Sequence, residues 1–186
     1  MLQITPKLKF IAHLRRSPLY EGEYGFDWMR EDYKTVCQDY EKLKKEYTPT
    51  KIEGIEYFTP WLAMFPNQKG VDLNLKIITL ENTEAKDDDI IKLPSKNGIT
   101  FKPNELKVSD ADSTVITVTC GKPLTKDVTI DLLDKNNKTV GRINVFKNAN
   151  HEQLHFNITP VRIVRKGLEE SDKNSIENQI DKGFGA

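Results

Sequence analysis

Residues 151–155 read HEQLH, a letter-for-letter match to H-E-x-x-H. In that pattern two histidines bind zinc and the glutamate acts as general base of a metallopeptidase. The chemistry needs a helix as much as it needs the residue types. One helical turn brings the two side chains to about 5–6 Å at Cβ, so both nitrogens can reach one zinc. Here the motif follows RINVF and the loop KNAN and runs into LHFNI. Leu154, Phe156 and Ile158 alternate as in a strand, and Thr159–Pro160 would stop a helix. On a strand His151 and His155 share a face but stand roughly 13 Å apart, too far for one ion. A third ligand is also wanting. Glu169, Glu170 and Glu177 lie in a polar tail, and His13 sits alone on an early strand. The expectation is therefore a strand end or turn, no catalytic residue and no cofactor. A zinc peptidase using His151, Glu152 and His155 is the alternative.

Two aromatic stretches offer different chemistry. EYGFDWMR places Tyr24, Phe26 and Trp28 beside charges, and YFTPWLAMF places Trp61 and Phe65 beside prolines. If exposed, such rings make a protein-docking patch or a platform for stacking sugars. If buried, they close the core. These five residues are the candidate binding set. KDDDI at 86–90 lacks the ligand spacing and closing glutamate of an EF-hand, and reads as a solvated turn. No glycine-rich phosphate loop, Walker pattern or G-x-S-x-G elbow is present.

The elements that must position these residues follow from periodicity. KLKFIAHLR alternates as a half-buried strand. FDWMREDYKTVCQDYEKLKKEY carries Tyr33, Val36, Cys37, Tyr40, Leu43 and Tyr47 at helical spacing, which predicts one amphipathic helix ending before TPTKIEG. IEYFTPWLAMFPNQKG is expected to cap a core. From residue 71 onward, VDLNLKIITL, IIKLP, ITFKP, STVITVTC, DVTIDLL, TVGRINVF and LHFNITPVRIVRK read as short strands, with DKNNK as a hairpin turn. That spacing predicts a mainly β, immunoglobulin-like sandwich with an N-terminal strand–helix embellishment and a short C-terminal helix. The expected organisation is 1–70 packed on the sandwich, 71–167 the sandwich, and 168–186 a polar helix or linker.

Composition narrows the function. Lysine plus arginine number 28 and aspartate plus glutamate 28, so no basic excess draws the chain to nucleic acid. Cys37 and Cys120 have no metal-ligand spacing and are expected to be buried free thiols, which fits a reducing compartment. No apolar run approaches the roughly 20 residues needed to span a bilayer. The N-terminus lacks the basic-then-apolar plan of a leader. The expectation is cytoplasmic synthesis, with any export by a route that needs no cleaved signal.

EGEYGFDWMR, YFTPWLAMFP and the run VGRINVFKNANHEQLHFNITPVRIV together resemble an N-terminal β-rich module of Bacteroidota proteins. That module precedes variable C-terminal domains, some of them metallopeptidases, in effectors of type VI secretion and related contractile injection systems. The resemblance covers about Lys7 to Arg165. It implies a delivery or loading role, docking on a tube, spike or adaptor subunit and carrying a cargo domain. In that family the peptidase motif belongs to a later domain, so peptidase activity is not implied for HEQLH here. The expected function is a non-enzymatic interaction module that uses strand edges or the aromatics around Trp28 and Trp61. A glycan-binding surface module is a further alternative.

Overall fold

The computed structural model describes residues 8–20, 25–81, 83 and 85–149. Along these the chain forms β1 (Phe10–Arg16), β2 (Phe26–Asp27), α1 (Tyr33–Val36), α2 (Tyr40–Tyr47), β3 (Thr50–Ile52), β4 (Ile55–Tyr57) and β5 (Trp61–Leu62). There follow β6 (Val71–Thr79), β7 (Ile90–Lys92), β8 (Ile99–Lys102), β9 (Glu105–Lys107), β10 (Ile116–Cys120), β11 (Val128–Asp134) and β12 (Thr139–Val145). The fold is mainly β, with two main sheets as in a β-sandwich. One sheet has the order β1-β6-β10-β8 and the other β2-β5-β12-β11-β7-β9, with β3–β4 as a separate hairpin.

Alternation explains which sides meet. Leu73 and Leu75 of β6, Ile116 and Val118 of β10, and Ile130 and Leu132 of β11 are buried, as are Ile143 and Val145 of β12. Each such side chain contributes about 1.5–3 kcal/mol of apolar burial. The DKNNK turn forms as the sequence predicts. Asp134 accepts the Asn136 and Lys138 N–H groups at 2.8 Å, and Asn137 takes the positive φ of 61°.

The N-terminal strand goes beyond an embellishment. β1 pairs with β6 over seven residues, from Phe10↔Thr79 to Arg16↔Leu73. β5 instead runs parallel to β12, at Asn144↔Trp61 and Val145↔Leu62. The early chain thus contributes strands to both sheets, and residues 17–60 form the connection between them. Where β1 meets β12 the backbones nearly touch. A Cβ on Gly141 would lie 2.4 Å from the Ala12 carbonyl oxygen. Tyr57 closes this seam: its hydroxyl donates to that carbonyl at 3.0 Å and accepts the Arg142 N–H at 3.2 Å.

Three local expectations are corrected. The single helix over 26–47 is two: Cys37 is extended (φ −76°, ψ 126°) and ends α1. Asp39 then caps α2 by accepting the Lys42 N–H at 2.9 Å. Phe26 and Asp27 are strand, paired with Leu62 and Trp61. TPTKIEG, which the sequence marks only as the helix stop, starts the β3–β4 hairpin, because Glu53 (φ 50°) and Gly54 (φ 85°) both take the left-handed conformation that such turns need. Of the two thiols, Cys120 is buried while Cys37 is only half-buried, and both are free. HEQLH, the strand segment expected at 154–166 and the helix or linker expected at 168–186 lie outside the described residues.

Candidate functional site

The two aromatic stretches converge. A hollow of about 210 Å³ is lined by Asp27, Trp28, Met29, Glu46, Tyr47, Phe58, Thr59 and Trp61. Strand pairing sets its frame. The register Asp27↔Trp61 puts these two directly across from each other on the outer face, while their neighbours Phe26 and Leu62 turn to the core. Trp61 extends the aromatic surface sideways by stacking on Phe146, ring centroids 4.4 Å apart. α2 contributes Glu46 and Tyr47 from its last turn. Thr48 then takes a positive φ of 40° and Pro49 follows, so the helix stops where the hollow opens. Phe58, 4% exposed, forms the base and meets Tyr47 edge-on at 6.5 Å. Tyr47 is 46% exposed and Phe146 44%.

The electrostatics of this hollow are one-sided. Asp27 has no ion-pair partner among the described residues. Glu46 reaches Lys42 only at 4.0 Å, in an exposed i,i+4 pair worth little. No lysine or arginine is among the described residues that line it.

Joined to it through Phe58, in the same 17–60 connection, lies a second aromatic–carboxylate group, and it is filled. Glu56 accepts the Tyr33 hydroxyl at 2.6 Å and also that of Tyr40. Lys34 sits 3.6 Å from Glu56 and 5.8 and 5.9 Å from the Tyr33 and Tyr40 ring centres. Lys44 lies 4.7 Å over the Tyr40 ring. Burial alone would raise the Glu56 carboxyl, but the two hydroxyls and Lys34 outweigh it and hold it below its ordinary value. The same burial and the same carboxylate push the Tyr33 phenol up.

Trp28 also borders a wider, open hollow of about 540 Å³ with Arg15, Arg16, Ser17, Pro18, Tyr20, Asn74 and Asp112. There Arg15 and Lys76 both pair with Asp112, and Asn74 donates to the Asp112 carbonyl at 3.1 Å. The charges in this second hollow are largely satisfied within the chain.

Of the residues singled out by sequence, Trp28 and Trp61 come together in the smaller hollow. Phe26 packs on the core beside it, Phe65 is half-buried and does not line it, and Tyr24 lies outside the described residues. Sequence reasoning missed Asp27, Glu46, Tyr47, Phe58 and Phe146. For Phe146 a signal existed: Ile143 and Val145 point inward, so the next residue points out. KDDDI is not a solvated turn throughout. Asp89 is 2% exposed and bridges Lys9 (2.9 Å) and Lys135 (2.8 Å). Burial opposes its charge, but hydrogen bonds from Lys135, the Lys86 N–H and Lys9 hold its carboxyl well below the usual range. The alternative zinc ligands His151 and His155 lie outside the described residues, among which no cluster of metal-ligating side chains occurs. The remaining histidine, His13, stacks on Tyr57 at 4.9 Å, and burial lowers it to about 4 against the opposing pull of Glu31.

Strand edges are poor docking surfaces here. β8 is four residues long, β9 three and β2 two, and the free side of β1 is covered at Ala12 by Gly141 and Tyr57. Among the described residues no helix is long and apolar enough to cross a membrane. No family model matches the chain, and neither a curated protein nor a solved structure does.

Proposed function

We propose that this protein is a non-enzymatic protein-interaction module that grips its partner at the hollow between α2 and β5. One observation carries the reading. EYGFDWMR and YFTPWLAMF, separated by two helices and a hairpin, bring their tryptophans to one open hollow instead of burying them. Half-exposed aromatic rings around a fixed depression are the usual anchors of protein recognition, because they desolvate a large area at little conformational cost. The side chains are held by strand pairing and by a capped helix, so little order has to be gained on binding.

The resemblance to the Bacteroidota module extends the proposal. In that reading the partner is a tube, spike or adaptor subunit of a type VI secretion-linked apparatus, and the chain loads or delivers a cargo domain. Two of the three stretches that carry the resemblance also line the hollow.

A photo-crosslinking amino acid placed at Phe146 tests the docking reading in the protein's own cells. The expected result is one dominant crosslinked protein, whose purified form binds the unmodified chain and loses that binding with Trp61→Ala. Binding that survives Trp61→Ala would remove the hollow as the docking site. A glycan array that lights up, and dims with Trp61→Ala, would replace a protein partner by a sugar. Deleting the protein should also abolish export of its neighbours' products; unchanged export would sink the delivery role.

A further inference from the structure

We infer that the hollow between α2 and β5 takes a cationic side chain, a lysine or arginine, presented by the partner protein. The inference rests on the docking reading above and specifies what enters. Its basis is composition and charge. Trp28, Tyr47, Phe58 and Trp61 supply aromatic surface, and Asp27 and Glu46 supply two carboxylates. No described lining residue supplies a balancing cation. Aromatic faces attract cations through their quadrupole, and a carboxylate beside them adds direct Coulomb attraction.

Size selects a single side chain. At about 210 Å³ the hollow is smaller than the roughly 300–1,000 Å³ typical of small-molecule sites. It can seat an ammonium or guanidinium head with its last methylenes, whose apolar stem would lie along the indoles. Other occupants fit less well. An apolar side chain would strip water from Asp27 without giving it a partner, which is costly. An anion would face two carboxylates.

The chain itself supplies a worked instance next door. Tyr33, Tyr40 and Glu56 form an aromatic–carboxylate group, and Lys34 fills it, 3.6 Å from the carboxylate and under 6 Å from both ring centres. The outer group has the same components, with the cation left to come from elsewhere.

The chain has two tryptophans, Trp28 and Trp61, and both line the hollow; Trp28 also borders the wider one, so a change in tryptophan fluorescence is assigned to this site where Asp27→Asn weakens it. The probes are the peptides Gly-Gly-Lys-Gly-Gly, Gly-Gly-Arg-Gly-Gly and Gly-Gly-norleucine-Gly-Gly, titrated at low salt. The lysine or the arginine peptide should give a saturable change, at least about fivefold tighter than norleucine. Asp27→Asn should erase most of that preference, and added salt should weaken it. Equal binding of norleucine, or no change with either cationic peptide, overturns the assignment. The two readings fail separately. If Trp61→Ala abolishes partner binding but norleucine equals lysine, docking stands and the cation falls. If the cationic peptides bind as expected but partner binding ignores Trp61→Ala, the cation site stands and docking falls.

Discussion

Two aromatic–carboxylate groups sit side by side in the connection between β1 and β5, and they differ in one respect. The inner group, Tyr33, Tyr40 and Glu56, holds Lys34 of the same chain and directs both hydroxyls at its carboxylate. The outer group, Trp28, Tyr47, Phe58 and Trp61 with Asp27 and Glu46, holds none among the described residues and opens to solvent. The same side-chain chemistry is a fastener where it is complete and a receptor where it is not. Phe58 touches both: its ring meets Tyr33 edge-on at 4.7 Å and forms the base of the outer hollow.

Phe58→Ala should therefore break both groups at once. A buried phenylalanine removed to alanine costs about 3–5 kcal/mol, to be read from urea unfolding, and peptide binding should vanish with it. Acid should act next, at the β1–β12 seam that Tyr57 closes. His13 stacks on Tyr57, the neighbour of Glu56 on β4, and is lowered to about 4 against about 6.5 when unfolded. Between those values the unfolded chain binds the extra proton, so stability falls as pH drops from about 6.5 to 4, by up to about 3 kcal/mol. His13→Phe should flatten that limb of the pH profile, and an unchanged slope would exclude His13 as its source.

Glu56→Ala comes third. It strands two phenolic hydroxyls and should cost about 1–2 kcal/mol while sparing lysine-peptide binding, since the outer group keeps all its members. Trp61→Ala should do the reverse. It loses one stacked contact with Phe146, within about 1 kcal/mol of stability, but should abolish docking. The smallest effect on stability belongs to Asp27→Asn, within about 0.5 kcal/mol, with loss of the lysine-over-norleucine preference as its only signature. If Glu56→Ala and Trp61→Ala lowered stability and binding in parallel, the division into fastener and receptor would be wrong.

Much of this was legible in the sequence. Alternation in VDLNLKIITL, STVITVTC, DVTIDLL and TVGRINVF gave the strands, because a half-buried strand must repeat its apolar residues at period two. Asp134 and Asn137 marked the β11–β12 turn for the same local reason. The aromatic stretches were visible as candidates. Their meeting was not, and neither was the helix break at Cys37–Asp39. An apolar stripe reads the same whether a helix is continuous or capped midway, and α2 buries no residue fully, so its pattern could not be checked against a core.

By itself the sequence determined the mainly β class and the residue types able to recognise a partner, since both depend on local periodicity and side-chain chemistry. Only the tertiary structure decided that Asp27 stands opposite Trp61, that Lys34 fills one aromatic group, and that the other is left open. Those outcomes depend on strand register and on contacts between distant segments, which local pattern does not encode.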